Sequence, residues 1–358
     1  MRKVFLLLVA SLTLLSCNRR HAEVYSLHSG SITLTVTDFG ARVMSLCTPD
    51  KDGVMENIVV GHKTVEEYMN PPGERFLGAC VGPVANRIGG ASFQIDGVVY
   101  NTPANDNGLN TLHGGFIGVD NMFWDVMFVC DTAIIFHLQH PDGQEGYPGN
   151  LDMMMTYSLS PSGEFKVEYM AKTDKPTPVN FSHHPFFCLR GEGNGSIEEY
   201  LMQINASNYT PIDAESIPTG EIAPVEGTPF DFREPHPIGE RLGWENEQLA
   251  NARGYDHNWC IDKTTDGIEL VCRVSDPVSG RFVEVLSDQP GLQFYSGNFF
   301  DGKENGSNGN PLEFRSSFVL ETQKWPDAVN HPNFTPVILR PGEVYTHTCI
   351  YRFGVAGE

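Results

Sequence analysis

The chain has 358 residues, and its 45 Asp and Glu residues outnumber its 24 Lys and Arg residues, which gives a net charge of −21. A chain this acidic does not fit nucleic-acid binding, because that binding depends on Lys and Arg side chains that neutralise phosphates. The charge also argues against phosphorylated substrates, which are usually held by an Arg or Lys clamp. A small neutral ligand fits this composition better.

The start of the chain is typical of an export signal. A basic beginning precedes an apolar run over 4–15, which is shorter than the roughly 20 apolar residues that span a bilayer as a helix. The run closes with a Leu-Leu-Ser-Cys segment that ends at Cys17 and resembles the lipobox of bacterial lipoproteins. We therefore predict a signal peptide over 1–16 and a lipid on Cys17. Because Asn18 rather than Asp follows, we expect export to the outer membrane, facing the periplasm; an ordinary secretory signal is the alternative.

Most of the remaining chain alternates apolar and polar side chains with a period of two, which predicts β-strands with one buried face. The clearest runs lie at 31–36, 93–95, 98–100, 151–159, 165–169, 268–274, 281–286 and 344–353. Asp96-Gly97 between two of these runs is a strong hairpin signal. Helices are predicted only over 64–69 and 244–249. Many strands, frequent turns and no linker predict one all-β domain over 17–358, a large antiparallel β-sandwich.

Seven cysteines follow Cys17, and their spacing matches no zinc-binding pattern. Most of them lie among apolar residues, so we predict small buried side chains, although an oxidising compartment would permit a disulfide. They are Cys47, Cys80, Cys130, Cys188, Cys260, Cys272 and Cys349.

The residues that carry chemistry are concentrated in a few short segments, rich in Asn, His, Asp, Glu, Gln and aromatic residues. Amides and carboxylates pair with sugar hydroxyls, and aromatic rings pack on the apolar faces of sugar rings, so this inventory favours a carbohydrate ligand over an anion. The segments are 82–88 (GPVANRI), 110–120 (NTLHGGFIGVD), 178–187 (PVNFSHHPFF), 254–258 (GYDHN), and 320–328 (LETQKWPDA), which is preceded by 291–298 (GLQFYSGN).

Together and in this order, the segments resemble those of the aldose 1-epimerase family, over about residues 22–353. The resemblance implies a large β-sandwich with its site in an open cleft, and interconversion of the α and β anomers of a free aldohexose such as glucose or galactose. It places the catalytic acid at His184 and the catalytic base at Glu321. The sugar-contacting positions that it implies are Asn86, Arg87, His113, Asp256 and Gln293.

The reaction itself explains why these groups are needed. A base must remove the proton of the C1 hydroxyl while an acid protonates the ring oxygen, so that the ring opens and can close on the other face. A carboxylate with a pKa of about 4 is ionised at neutral pH, and an imidazole with a pKa of about 6.5 can supply a proton. Arg87 and His113 are expected to stabilise developing negative charge, and Asp256 to orient the sugar. No redox change or covalent intermediate is required, so neither a cofactor nor a metal is expected.

Two segments depart from the family pattern. Pro83 occupies the place of a usual arginine. The third segment continues as HHPFFCL from His183, where the family usually has Asn-His-x-Tyr-Phe-Asn-Leu. His183 therefore stays open as an alternative acid, although strand alternation places the two neighbouring imidazoles on opposite faces.

Each predicted site residue also has a structural interpretation. His184 could be a packed core histidine, Arg87 part of a structural salt bridge, His113 part of a turn, and Asp256 a loop brace. Glu321 is predicted at the end of an apolar strand, where an unpaired carboxylate is costly to bury. The alternative functions are a non-catalytic sugar-binding lipoprotein of an uptake system and a glycoside hydrolase, which needs two carboxylates about 5–9 Å apart. We expect a monomer that binds a free monosaccharide.

Overall fold

The computed structural model describes residues 20–356, and within this range it contains 28 β-strands, two short α-helices and five 3₁₀ turns. The strands of the first half are β1 (Val24–Ser29), β2 (Ile32–Thr37), β3 (Val43–Pro49), β4 (Met55–Asn57), β5 (Val59–Val60), β6 (Ala79–Val81), β7 (Arg87–Ile88), β8 (Ser92–Ile95), β9 (Val98–Asn101), β10 (Thr111–Leu112), β11 (Asp125–Cys130), β12 (Ala133–His140), β13 (Leu151–Ser160) and β14 (Glu164–Thr173). Those of the second half are β15 (Thr177–Pro178), β16 (Ser182–His184), β17 (Phe186–Phe187), β18 (Leu201–Ile204), β19 (Asn208–Thr210), β20 (Ala223–Pro224), β21 (His236–Pro237), β22 (Asp256–Cys260), β23 (Glu269–Ser275), β24 (Arg281–Ser287), β25 (Gly291–Tyr295), β26 (Val319–Gln323), β27 (Ile338–Leu339) and β28 (Tyr345–Val355). The helices are α1 (Val65–Met69) and α2 (Glu247–Ala252), and the 3₁₀ turns are Gly89–Ala91, Val119–Asn121, Gln144–Gly146, Ile197–Glu199 and Ile238–Arg241.

Three sheets carry most of these strands, and every strand pair in them is antiparallel. The nine-stranded sheet has the order β11-β12-β13-β14-β28-β24-β23-β18-β21. The five-stranded sheet has the order β20-β19-β22-β25-β26, and the four-stranded sheet the order β1-β2-β3-β4. One continuous apolar core joins them, with Leu34 from β2, Met155 from β13, Val167 from β14 and Phe294 from β25 among its fully buried members. The predicted all-β antiparallel sandwich is confirmed.

The long hairpin of β13 and β14 shows why the period-two runs form strands. The two strands pair over ten residues, from Leu151 opposite Thr173 to Ser160 opposite Glu164. Buried and more exposed positions alternate along β13, so that one face enters the core and the other faces outward. The last strand, β28, does not lie at an edge of the nine-stranded sheet, because it pairs with β14 on one side and β24 on the other.

The start of one helix was predicted closely and that of the other wrongly. Helix α1 begins after Thr64, whose hydroxyl accepts from the backbone N–H of Glu67, so the prediction over 64–69 is confirmed. Helix α2 begins three residues later than predicted. The side chain of Asn246 caps it by accepting from two backbone N–H groups of the first turn, and Trp244 is left outside the helix.

The predicted signal peptide and the lipidation site Cys17 lie outside the described residues. Among the residues that are described, no helix is long and apolar enough to cross a membrane. The seven described cysteines are all free thiols, and five of them are buried as predicted. Cys47 is half-buried and Cys130 is exposed on β11, so the prediction of buried side chains is wrong for these two.

Candidate active site

All seven predicted site residues line one pocket of about 90 Å³. They come from β7, β16, β22, β25, β26 and the turns beside them, and they are separated by up to 235 positions in the chain (321 − 86). Six further residues complete the wall. Leu112, Phe186 and Tyr295 lie within the segments named from the sequence, whereas Glu74, Phe76 and Phe299 lie outside them. Glu74 and Phe299 also border an adjoining hollow of about 460 Å³, onto which the pocket opens.

His184 and Glu321 lie at the buried end of this pocket. Strand β16 pairs with β6, which places His184 opposite Ala79, and β26 pairs with β25, which places Glu321 opposite Gln293. Glu321 therefore lies in the middle of its strand, and the expectation of a strand end is wrong. Nε2 of His184 is 3.2 Å from Oε1 of Glu321. Nevertheless, Oε1 of Glu321 and Nδ1 of His184 have no hydrogen-bond partner among the described residues. Buried polar atoms are rarely left unpaired, so both atoms are available to a ligand.

Burial changes the protonation expected of this pair. Desolvation raises the pKa of Glu321 well above its ordinary value, and the nearby Asp256 adds to the shift while Arg87 opposes it. Desolvation lowers the pKa of His184 to about 3, and the charge of Arg42 adds to the shift. The ordinary pKa values expected from the sequence are therefore wrong for both groups. Both shifts favour the neutral forms, a protonated Glu321 carboxyl group and an uncharged His184 imidazole.

His113 and Asn86 hold each other in a strained turn. Both have left-handed backbone conformations, with φ of 50° and 60°. The backbone N–H of His113 donates to the carbonyl of Asn86 at 3.0 Å, and the backbone N–H of Asn86 donates to Nδ1 of His113 at 3.1 Å. Because Nδ1 accepts a hydrogen bond, the proton of the neutral ring lies on Nε2. Burial and the neighbouring His184 hold the pKa of His113 well below its ordinary value, so His113 presents a fixed donor.

The tautomer of His113 bears on whether the site could hold a metal ion. His113, His184 and Glu321 offer ligand atoms that all lie within 4.8 Å of one another. A histidine that ligates a metal uses a bare ring nitrogen, while its other nitrogen usually donates a hydrogen bond. In His113 the order is reversed, since Nδ1 accepts and Nε2 carries the proton. The geometry therefore fits a hydrogen-bonding site better than a metal centre.

A chain of polar contacts connects Arg87 to the five-stranded sheet. Nε of Arg87 donates to Asp106 at 2.7 Å, and its Nη1 lies 3.8 Å from Asp256. Asp256 in turn accepts from the side-chain amide of Gln293 at 2.7 Å. Burial raises the pKa of Asp256, while Arg87 and Gln293 oppose that shift. Asp106 was missed by the sequence analysis because it lies outside every motif.

The part of the pocket wall beside His184 and His113 is aromatic. Phe186 lies 5.0 Å from the ring of His184, and Phe76 lies 4.6 Å from the ring of His113. Phe186 occupies the position where the family resemblance implies a tyrosine, so no hydroxyl reaches the pocket from here. Phe76 carried no motif signal. These rings contribute to the burial that lowers the pKa values of both imidazoles.

The two departures from the family pattern have clear positions in the structure. Pro83 does not line the pocket; its carbonyl accepts from the backbone N–H of Asn180 at 2.8 Å. His183 lies on the other side of β16 from His184, among Tyr157, Phe165 and Tyr351, with ring centroids 5.5 to 5.9 Å away. His183 therefore does not reach the pocket.

An antiparallel β-sandwich in which the His184 imidazole and the Glu321 carboxyl group meet in a small pocket has the groups that acid–base chemistry requires. Comparison with known proteins gives the family. The family profile described as aldose 1-epimerase matches residues 23–352. The galactose mutarotase of Rattus norvegicus is 41% identical over 334 residues, which cover 93% of this chain and 94% of that protein. The aldose 1-epimerase of Escherichia coli K12 is 33% identical over 328 residues, 91% of this chain and 93% of that protein.

Solved structures agree with this assignment. An aldose epimerase homologue from C. elegans superimposes with a TM-score of 0.86 at 26% identity, covering 94% of this chain and 99% of that one. Galactose 1-epimerase from Lactobacillus acidophilus gives a TM-score of 0.79 at 25% identity, with 94% and 99% covered. The chain belongs to the aldose 1-epimerase family and is an isomerase by class. The predicted family, fold and enzyme class are confirmed.

Proposed function

We propose that this protein interconverts the α and β anomers of a free aldose, with Glu321 as the base and His184 as the acid. The observation that carries the proposal is the His184–Glu321 contact at 3.2 Å, in a pocket where both groups keep unpaired polar atoms. In the productive state Glu321 is a carboxylate that takes the proton of the C1 hydroxyl, and His184 is an imidazolium that gives its proton to the ring oxygen. The ring opens, rotation about C1–C2 exposes the other carbonyl face, and the reverse transfers close it.

The productive state needs no proton from outside the pair. It differs from the unliganded state only in which of the two groups holds the single proton. A sugar that donates its C1 hydroxyl to Glu321 favours the carboxylate, because hydrogen bonds to the charged form stabilise that form. Substrate binding therefore moves the proton from Glu321 to His184.

The other pocket residues receive roles from their contacts. The Nε2–H of His113 and the guanidinium of Arg87 are donors for sugar oxygens that become more negative during opening. Asp256 and Gln293 accept and donate to hydroxyls away from C1 and fix the orientation of the ring. The side-chain oxygen of Asn86 accepts from the backbone N–H of Arg87, which leaves its NH₂ group for the sugar.

Polarimetry on freshly dissolved α-glucose and α-galactose tests the activity. The expected result is equilibration faster than in buffer, with Glu321→Gln as the inactive comparison. Glu343→Gln is the matched control, since Glu343 is exposed at the turn before β28. If the protein binds these sugars but every aldose equilibrates at the rate seen in buffer, the alternative of a non-catalytic sugar-binding lipoprotein takes its place.

We further propose that the protein is exported and held at the outer membrane, facing the periplasm, by a lipid on Cys17, as a monomer. The Leu-Leu-Ser-Cys segment supports the anchor, and the monomer is supported by the fact that one chain supplies all seven site residues. Mass spectrometry of the N-terminal peptide from separated membrane fractions tests the lipid. The variant Cys17→Ser should move the protein to the soluble fraction. A membrane-free wild type with residues 1–16 intact would contradict the anchor, and light scattering of the detergent-free Cys17→Ser variant tests the monomer.

A further inference from the structure

The outermost strand of the nine-stranded sheet presents an apolar surface that the described part of the chain leaves uncovered. Strand β11 pairs with β12 on one side and with no described strand on the other. Its residues Met127, Phe128 and Val129 are 63%, 50% and 46% exposed, and Cys130 is exposed as well. We call these four residues the edge surface. Four consecutive exposed apolar residues at a sheet edge usually mark an interaction site or a strand-pairing hazard.

The geometry of β11 disfavours a strand from another chain as the partner. Its register with β12 shifts between Val126 and Phe128, so that Met127 is an extra residue without an opposite partner. Such bulges at sheet edges disrupt the ladder and hinder the addition of a further strand. Phe128 and Cys130 lie opposite Ile135 and Ala133 of β12 and project from the outer face of the sheet. Val129 lies opposite the buried Ile134 and projects from the other face, so the edge surface has side chains on both sides of the strand.

The start of the described chain is fastened to this same strand. A nitrogen of the Arg20 guanidinium donates to Asp125, the first residue of β11, at 2.8 Å, and another donates to the carbonyl of Trp124. The guanidinium also lies 5.0 Å from the ring centroid of Phe123. Cys17 precedes Arg20 by three residues, which span at most about 11 Å when extended. Met127 to Val129 follow Asp125 by two to four residues, or about 7 to 14 Å along the strand.

The charges near the edge surface do not suit attraction to anionic headgroups. Asp125 and Asp131 flank the strand and are exposed, and the whole chain carries a net charge of −21. A contact with a membrane at this surface would therefore be apolar and insensitive to salt.

From these observations we infer that the edge surface lies against the bilayer that holds the lipid of Cys17. The inference rests on the proposed anchor, because Arg20 brings the lipid-bearing end of the chain to β11. The surface orients the protein on the membrane, while the lipid supplies the attachment.

The exposed thiol of Cys130 allows a direct test. The full lipidated protein, with Cys47→Ser to remove the half-buried thiol, is labelled at Cys130 with a fluorophore and placed in phosphatidylcholine vesicles that contain a quencher on the acyl chains. The matched control carries Cys47→Ser, Cys130→Ser and Asp266→Cys. Asp266 is exposed, three residues before β23, and β23 lies six strand spacings from β11, about 29 Å. Lipid quenching should be several-fold stronger at Cys130 than at the control position, and unchanged by added salt.

The outcomes separate this inference from the proposed anchor. Equal, weak quenching at both positions in a chain whose Cys17 is lipidated overturns the membrane contact alone. A chain without lipid on Cys17 overturns both. Shielding of the Cys130 label that grows with protein concentration in the absence of vesicles identifies a second copy of the chain as the partner, and also overturns it. Met127→Glu with Phe128→Glu should restore water access to the label while mutarotation of the sugar stays unchanged.

Discussion

The two sides of strand β16 place neighbouring histidines in contrasting regions of the molecule. His184 faces a pocket in which the Glu321 carboxyl group lies at 3.2 Å, whereas His183 faces the aromatic core. Neither ring nitrogen of His183 has a hydrogen-bond partner among residues 20–356. Burial lowers the pKa of both imidazoles to about 3. A displaced pKa therefore does not distinguish the proposed catalytic histidine from the one in the core. His184 differs from His183 because the carboxyl group of Glu321 and a pocket for a substrate lie beside it.

We expect the largest loss of activity from substitutions on the side of β16 that faces the pocket. Glu321→Gln and His184→Ala should each lower kcat by at least about a hundredfold, within the roughly 10² to 10⁴ that a positioned acid or base contributes. Because the two groups act on one substrate molecule in one proton-transfer cycle, the double variant should be little worse than either single variant. Polarimetric rates for the three variants check this. Losses that multiply would contradict the assignment of one cooperating pair.

The pH dependence of the rate should reflect the single shared proton. At low pH the activity is lost when both His184 and Glu321 are protonated. Because the pKa of His184 is lowered to about 3, this acid limb of the pH profile should lie far below the ordinary range of histidine. Loss at high pH requires the pair to lose its only proton, and the raised pKa of Glu321 moves that limb well above the ordinary range of glutamate. We expect a bell-shaped profile of kcat/KM with a wide top. An acid limb near pH 6.5, the ordinary value for histidine, would contradict the shared proton.

A smaller loss of activity is expected when a residue that supports the pocket from outside, such as Asp106, is changed. Asp106→Asn removes the charge that Nε of Arg87 contacts at 2.7 Å and should reduce kcat/KM about tenfold, since hydrogen bonds to charged groups contribute about 1.5–3 kcal/mol. Asp96→Asn is the matched control, because Asp96 pairs with Arg340 at the exposed surface. If both variants lose activity equally, Asp106 has no special part in placing Arg87.

The smallest effect on activity is expected on the core side. His183→Leu should leave the rate of mutarotation nearly unchanged, because His183 does not line the pocket. Its stability effect should depend on pH. The folded pKa of about 3 lies below the unfolded value near 6.5, so the unfolded state binds the extra proton and stability falls as the pH drops between these values. The variant lacks this titration and should lose less stability on acidification, on the order of 2 kcal/mol at pH 5. Urea unfolding at pH 7.5 and pH 5 measures the difference, and an inactive variant would restore His183 as a candidate acid.

Local structure was predictable where one pattern acts over a short range. Alternation located β13 and β14, and Asp96-Gly97 located the hairpin of β8 and β9. The start of α2 was misplaced because the prediction did not use Asn246, whose side chain caps the helix. The order of strands in the sheets depends on packing between distant segments, and no local pattern encodes it.

The site was predictable only through the family resemblance. Nothing in the spacing of His184 and Glu321, 137 positions apart (321 − 184), brings them together. Glu74, Phe76 and Asp106 were missed because they lie outside the motifs, and single acidic or aromatic residues elsewhere in the chain are too common to indicate a site. The displaced pKa values were also beyond the sequence, since they arise from the aromatic wall that the fold assembles around the pair.

The central position of β28 in the nine-stranded sheet determines how early the sheet can form during synthesis. Strand β28, between β14 and β24, comes after all the other described strands in the chain, so the nine-stranded sheet cannot close until synthesis has reached about residue 355. Until then β14 and β24 lack the partner they share, and the two halves of the sheet stay separate. Non-local pairing of this kind is slow. Folding of the nine-stranded sheet is therefore expected to follow, rather than accompany, synthesis of the chain between β14 and β28.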